Sequence, residues 1–203
     1  MTGGLLPVLI FKRSCGIIHI IPKQGEINLD TQLIPLTPEY DAALAALVRT
    51  SLEEHHLDIP GTVYFDKGLD RLSEYYSAEG RAYYMLTRGG RLIGGIGLAP
   101  FEGFEHCCEL QKLYLDASER GSGLGYKLIA FIEQRAAELG YERVYLETHT
   151  NLQAALHIYE KAGYRIIPRP ASVVHSTMNR FLIKDTITPV LGRGSCFSYQ
   201  NNP

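Results

Sequence analysis

Arg120-Gly121-Ser122-Gly123-Leu124-Gly125 is the stretch on which the reading of the fold turns. It follows a strand-like run at residues 108–115 and opens a helical one at 123–139. Its glycines let successive backbone N–H groups turn toward one point, and the helix that follows adds the positive end of its dipole. Together these make an anion cradle suited to a phosphate or pyrophosphate. The plain alternative is a tight connection with no ligand. The spacing is GxGxG, whereas a dinucleotide-binding turn wants GxGxxG, and the Gly-Lys followed by Ser or Thr of a nucleoside-triphosphate loop is missing.

Downstream, Leu124, Leu128, Phe131, Ile132 and Leu139 recur on one side of the 123–139 helix, and Gly140 suits a left-handed cap. A strand at 143–148, a helix at 151–162 closed by Gly163, and a strand at 164–167 follow. Upstream, residues 81–87 and 92–99 pair as a hairpin through Arg88-Gly89-Gly90-Arg91, whose glycines supply positive φ. Gly94, Gly95 and Gly97 weaken the second of these strands but leave bare backbone for the close approach of a ligand or neighbour. Two earlier helices are predicted. One starts at Thr37-Pro38, with Thr as cap, and runs to 54 with Leu44, Leu47 and Val48 inward; the other spans 67–77 with Leu69, Leu72 and Tyr76 inward. A strand at 33–36 precedes them, and apolar runs at 5–11 and 17–21 form an irregular hairpin around residues 12–16. Strand, helix, strand, helix, strand after an antiparallel start means an α/β fold: a mixed sheet with helices on its faces.

The chain has 203 residues, 45% hydrophobic and 21% charged, which fits one ordinary globular domain. Twenty Lys and Arg against 22 Asp and Glu give a formal charge of −2, so no global basic field holds nucleic acid or an anionic membrane. Cys15, Cys107, Cys108 and Cys196 make neither a disulfide framework nor a zinc knuckle. The 5–11 run lacks the basic segment and cleavage pattern of a signal peptide, and a cytoplasmic location is expected.

The glycine loop resembles the coenzyme A loop of the GCN5-related N-acetyltransferase (GNAT) superfamily: Arg or Gln, two residues, Gly, one residue, Gly or Ala. Arg120, Gly123 and Gly125 match it. The run from Asn151 through Ala154 and Tyr159-Glu160-Lys161 to Gly163-Tyr164 resembles the family's second motif, with Tyr in place of its final Phe. The likeness covers residues 31–185, leaving 1–30 as an N-terminal extension of unknown role and 186–203 as a tail. It implies a mixed, mostly antiparallel twisted sheet splayed at its centre between the 108–115 and 143–148 strands, with helices on both faces. It also implies acetyl-CoA as cosubstrate and no metal. The backbone of Leu113 would face the acetyl carbonyl, and Tyr114 and Leu115 would pair with the pantetheine arm. Arg120, Gly121, Ser122, Gly123, Leu124 and Gly125 would hold the pyrophosphate, and Asn151, a residue type suited to capping its helix, would contact the pantetheine arm.

Acetyl transfer to an amine needs a proton removed from the nucleophile, a place for the carbonyl oxygen's growing charge, and a proton for the leaving thiolate. Glu109, six residues before Leu115, stands where the family's histone-acetylating branch carries its base. Glu147 on the neighbouring strand is the alternative, and a purely structural carboxylate is the third reading. Tyr159 matches the family tyrosine that approaches the coenzyme sulfur; otherwise it is a core residue. His106-Cys107-Cys108 reads as simple burial, since adjacent strand residues face opposite ways. His149 and His157 lie near the cleft by sequence. Tyr64, Tyr75, Tyr76, Tyr83 and Tyr84 read as core, some of them lining an acceptor pocket. The expected activity is acetyl transfer to a primary amine of a small molecule by direct attack. Acetylation of a protein N-terminus or lysine and a non-catalytic acyl-CoA sensor remain as alternatives, and a homodimer is left open.

Overall fold

The computed structural model describes residues 11–14, 17–20, 31–173 and 177–186. In chain order the elements are β1 (Phe11–Ser14), β2 (Ile17–Ile20), β3 (Thr31–Pro35), α1 (Asp41–Glu54), α2 (Leu72–Tyr76), β4 (Ala82–Arg88), β5 (Arg91–Pro100), β6 (Cys107–Leu115), α3 (Leu124–Glu138), β7 (Arg143–Thr148), α4 (Gln153–Lys161), β8 (Arg165–Ile167) and β9 (Arg180–Asp185). The strands form one sheet in the order β1-β2-β3-β4-β5-β6-β7-β9-β8. Only β6 and β7 are parallel; the other neighbours run antiparallel. This is the mixed, mostly antiparallel α/β fold expected from the sequence.

The period of two along a strand sorts β4 between two cores. Tyr84 and Leu86 join Leu128, Phe131 and Ile132 of α3 on one face, while Tyr83 and Met85 join Leu44, Val48 and Leu52 of α1 and Tyr76 of α2 on the other. The same alternation sends Cys108 to the α3 side and Cys107 to a third cluster with Tyr145, Phe181 and Ile183. The hairpin between β4 and β5 turns at Gly89 (φ 55°) and Gly90 (φ 78°), as the Gly-Gly pair predicted.

Several boundaries differ from expectation. Lys12, Arg13 and Ser14 belong to β1 rather than to the loop, and pair with His19, Ile18 and Ile17; the rest of the 5–11 run lies outside the described residues. Thr37 precedes a 3₁₀ turn, Pro38–Tyr40, but its hydroxyl makes no cap bond and is buried without a partner. The α-helix proper starts at Asp41, whose carboxylate accepts bonds from the backbone N–H (2.8 Å) and hydroxyl (2.5 Å) of Ser73, tying α1 to α2. The predicted 67–77 helix is a 3₁₀ turn, Leu69–Arg71, followed by the short α2, still with Leu69, Leu72 and Tyr76 buried. Leu139 is 44% exposed, because it follows the last turn of α3 and leaves the stripe. β9 is an addition to the sequence reading; its apolar run Phe181-Leu182-Ile183 pairs along the whole of β7.

The bare backbone of β5 is filled from within. A Cβ on Gly97 would sit 2.6 Å from the Tyr83 ring and 3.0 Å from that of Tyr76, and one on Gly95 would meet Tyr83 at 2.6 Å. The two rings lie 5.1 Å apart over these glycines. Gly97→Ala therefore overpacks this layer and is expected to cost about 1–3 kcal/mol. Thermal unfolding checks it, at roughly 2–4 °C per kcal/mol for a chain of this size; an unchanged melting temperature would show that the rings have room to move.

Candidate active site

β6 and β7 are paired at only three positions, Cys107 with Arg143, Cys108 with Val144 and Glu109 with Tyr145. Beyond Glu109 the two strands part, and the gap opens into a cavity of about 620 Å³. Glu109, Leu113, Tyr114 and Leu115 line it from β6, Glu147 and Thr148 from β7, and Ile158 and Tyr159 from α4; Arg120 lines it as well. Thr62, Asp66, Phe101, Val173 and Met178 also line it, which the sequence reading did not find because they come from connecting segments scattered along the chain.

β6 carries a bulge beside this gap. Gln111 stands opposite Gly97 and Tyr114 opposite Gly95, so Lys112 and Leu113 together face the single residue Ile96. Lys112 takes a positive φ of 50°, a strained choice for a side chain of this kind. The Tyr83 hydroxyl donates to the Lys112 carbonyl at 3.0 Å and holds the kink. Nothing in Lys112 itself announces a bulge; Gly95 and Gly97 were the trace, since they admit the Tyr83 ring.

The two candidate bases both face the cavity. Gln111 Nε2 donates to Glu109 Oε2 at 2.6 Å, and the Tyr145 hydroxyl donates to Glu147 Oε1 at 3.1 Å. Burial pushes the Glu109 carboxyl above the usual carboxylate range, with the charge of Glu147 adding to the rise; the Gln111 hydrogen bond and Lys112 oppose it. Tyr159 is buried with its ring edge against Tyr164 at 5.7 Å, and burial pushes its phenol pKa up.

Gly121 (φ 77°) and Gly123 (φ 81°) both need the left-handed region, and Gly123 caps α3. Among the described residues the N–H groups of Gly121, Ser122 and Gly123 donate to no backbone carbonyl. Leu124 is the first residue of α3, and Gly125 brings α3 close to α4, where a Cβ would stand 3.1 Å from Ile158. The Ser122 hydroxyl is turned onto the Glu119 carbonyl at 2.5 Å. Glu119, itself buried, is paired with Arg88 at 2.5 Å, which fixes the base of the loop to β4. Arg120 is engaged by protein: its guanidinium meets Glu54 Oε2 at 2.6 Å, the Ser51 hydroxyl at 3.3 Å and the Leu115 carbonyl at 3.3 Å.

Asn151 does not cap its helix. The residue before α4 is Leu152, and the Asn151 amide instead donates to the His55 carbonyl at 3.0 Å, while its backbone N–H donates to His149 Nδ1 at 3.1 Å. His157 is exposed on α4, His106 is exposed rather than buried with the two cysteines that follow it, and none of the three histidines named from the sequence lines the cavity. The same holds for Tyr64, Tyr75, Tyr76, Tyr83 and Tyr84: Tyr64 bonds Glu53 at 2.6 Å, Tyr84 packs on Phe131, and Tyr76 reaches the cavity wall only through Gln111, at 2.9 Å. No helix among the described residues is long and apolar enough to cross a membrane.

The sheet parts beside a glycine-rich helix N-terminus, the arrangement implied by the resemblance to acyl-group transferases. Residues 49–164 match the sequence model of the Acetyltransferase (GNAT) family. Over 134 residues the chain is 38% identical to the uncharacterized N-acetyltransferase YjgM of Escherichia coli (strain K12), covering 65% of this chain and 80% of that one. Among solved structures, a GNAT-family acetyltransferase from Staphylococcus aureus Mu50 superposes with a TM-score of 0.68 at 21% identity, over 77% of this chain and 99% of that one. An aminoglycoside 6'-N-acetyltransferase complexed with coenzyme A gives 0.59 at 18% identity, over 76% and 97%. The chain belongs to the GNAT acetyltransferase family, and it is an acyltransferase.

Cys107 and Cys108 are buried, and burial pushes the Cys107 thiol up to about 11 and Cys108 higher still. Both are thus expected to stay protonated and unlabelled by iodoacetamide at pH 7.5 in the native protein and to react fully in urea. Peptide mass mapping reads this, and rapid native labelling of Cys108 would bring back a nucleophilic role.

Proposed function

We propose that this enzyme moves an acetyl group from acetyl-CoA to a primary amine of a small molecule by direct attack, with Glu109 as base. The observation that carries the reading is that Glu109, Glu147, the bulged backbone of β6 and Tyr159 all line one cavity of about 620 Å³. That volume must admit the acyl end of the coenzyme as well as the acceptor, which favours a small acceptor over a folded protein segment.

The residues fit the coenzyme. The N–H groups at Gly121, Ser122 and Gly123, with those opening α3 at Leu124 and Gly125, supply a cradle for a pyrophosphate. The β6 edge beyond Glu109, left without a β7 partner, offers Leu113, Tyr114 and Leu115 for strand-like pairing with the pantetheine arm; Arg120 lines the same cavity, and Asn151 would reach the arm by giving up its bond to the carbonyl of His55, another lining residue. Acetyl-CoA, when bound, supplies an acetyl group activated as a thioester.

The chain's own residues would do the rest. Glu109, its carboxyl raised by burial toward the working pH, takes the proton from the amine. The backbone N–H of Leu113 at the bulge donates to the carbonyl oxygen as charge develops there. Tyr159 is kept protonated by burial across the working range, so its hydroxyl serves as a hydrogen-bond donor to the sulfur as that atom takes up negative charge. Full proton transfer from so weak an acid is uphill, and solvent finishes the protonation.

A panel of primary amines assayed with acetyl-CoA by thiol release tests the reading. At least one small amine should turn over with saturation. Turnover of peptide N-termini or lysines alone would favour protein acetylation, and coenzyme binding with no turnover would favour a sensor. In the same assay Glu109→Gln should lower kcat about 10²- to 10⁴-fold at pH 7, with partial recovery at higher pH as free amine accumulates. Near-normal turnover in that variant would shift the base to Glu147.

Tyr159→Phe keeps the ring and removes the donor. A lower kcat is expected at every pH tested, since the phenol does not titrate in the working range, with a nearly unchanged melting temperature. Lost stability with full turnover per folded molecule would make Tyr159 a packing residue.

A further inference from the structure

Glu109 is held by a side chain that is itself held. Gln111 Nε2 donates to Glu109 Oε2 at 2.6 Å, and the other end of the same amide, Oε1, accepts from the Tyr76 hydroxyl at 2.9 Å. Tyr76 is buried, and its ring is fixed against Tyr83 over Gly97. Bonded at both ends, the Gln111 amide is held in place, and the acceptor-only Glu109 carboxylate selects the orientation that turns Nε2 toward it, since a carbonyl there would repel the charge. Glu109 Oε1 takes no hydrogen bond from the described residues.

We propose that Gln111, locked by Tyr76, is a positioning residue for Glu109: it occupies Oε2, favours the carboxylate over the acid, and leaves Oε1 to receive the acceptor's proton. The inference rests on the reading of Glu109 as base. The nitrogen's lone pair forms the bond to the acetyl carbon as the carbonyl π pair moves onto oxygen, and the nitrogen's proton passes to Oε1. Return of that pair breaks the C–S bond and expels the thiolate, which is protonated from solvent. Glu109 then gives its proton to solvent, while Gln111 and Tyr76 keep their own protons throughout.

The other groups around Glu109 differ in kind. Glu147, from β7, is a like charge, and Lys112, from β6, is an opposite one whose ammonium lies 5.6 Å and 5.9 Å from the centres of the Tyr75 and Tyr76 rings. Tyr145 on β7 is committed to Glu147, Cys107 and Cys108 are thiols, and Ala99 faces Glu109 from β5. Among the described residues Gln111 is thus the one group that hydrogen-bonds this carboxylate.

Carbon-13 NMR of protein labelled at the glutamate carboxyl carbon reads Glu109 directly with no acceptor present; the resonance is assigned by its loss in Glu109→Gln. Removing a hydrogen bond to the charged form should raise the Glu109 pKa, by about one pH unit in Gln111→Leu. Gln111→Glu, which sets a carboxylate against a carboxylate, should raise it further. Tyr76→Phe, which only unlocks the amide, should raise it less while the coenzyme's Kd stays unchanged. With an amine from the panel, the acid limb of kcat/KM should move to higher pH by the same amount as the titration. A Glu109 titration unmoved in both Gln111→Leu and Tyr76→Phe overturns the positioning role while leaving the base reading intact. An acid limb that survives Glu109→Gln removes the base reading and this inference with it.

Discussion

Three parallel residue pairs between β6 and β7 are the constraint from which the site follows. They keep the sheet continuous at one end of the two strands and let it open at the other, so that both edges of the gap are strand backbone with its hydrogen-bonding groups turned inward. A cleft between separate loops would present side chains. This one presents N–H and C=O groups at strand spacing, which suits an extended, peptide-like ligand arm. Because α4 packs behind the gap and β9 pairs along all of β7, the opening is braced on both sides.

β6 is shaped by its surroundings, β5, β4 and α2, rather than from within. Gly95 and Gly97 give up their side chains, Tyr83 and Tyr76 occupy the space, and their hydroxyls reach the Lys112 carbonyl and the Gln111 amide. The strained φ of Lys112 is thereby held by a part-buried hydrogen bond. Aromatic rings seated on glycine backbone thus act as struts that fix both the bulge and the carboxylate beside it.

Much of the fold was legible in the sequence, because it depends on local signals: the Gly-Gly turn, the apolar stripe of α3 and the glycines after the helices. The central splay came through resemblance, since no periodicity encodes where two parallel strands separate. The glycines of β5 were readable as a place of close approach, but the sequence could not say that a neighbour rather than a ligand approaches. Asn151 was misread as a cap because its type is right for one; the turn instead spends its amide on His55, 96 positions away in the chain. Asp66, Phe101 and Met178 carry no motif, and only the packing of distant segments brings them to the cavity wall. Arg120 was legible as a loop residue, whereas its engagement with Glu54 and Ser51 depends on where α1 ends.

The ends of the sheet have a bearing on solubility. Nine hydrogen-bonded strands make a wide surface, yet its outermost members, β1 and β8, are four and three residues long. A free strand edge is a template for another chain to add to, and the risk grows with the length of unpaired backbone on offer. β8 carries one prominent apolar side chain, Ile166, at 59% exposure, set between Arg165 and Ile167. Among the described residues, rims this short offer little backbone for edge-to-edge addition.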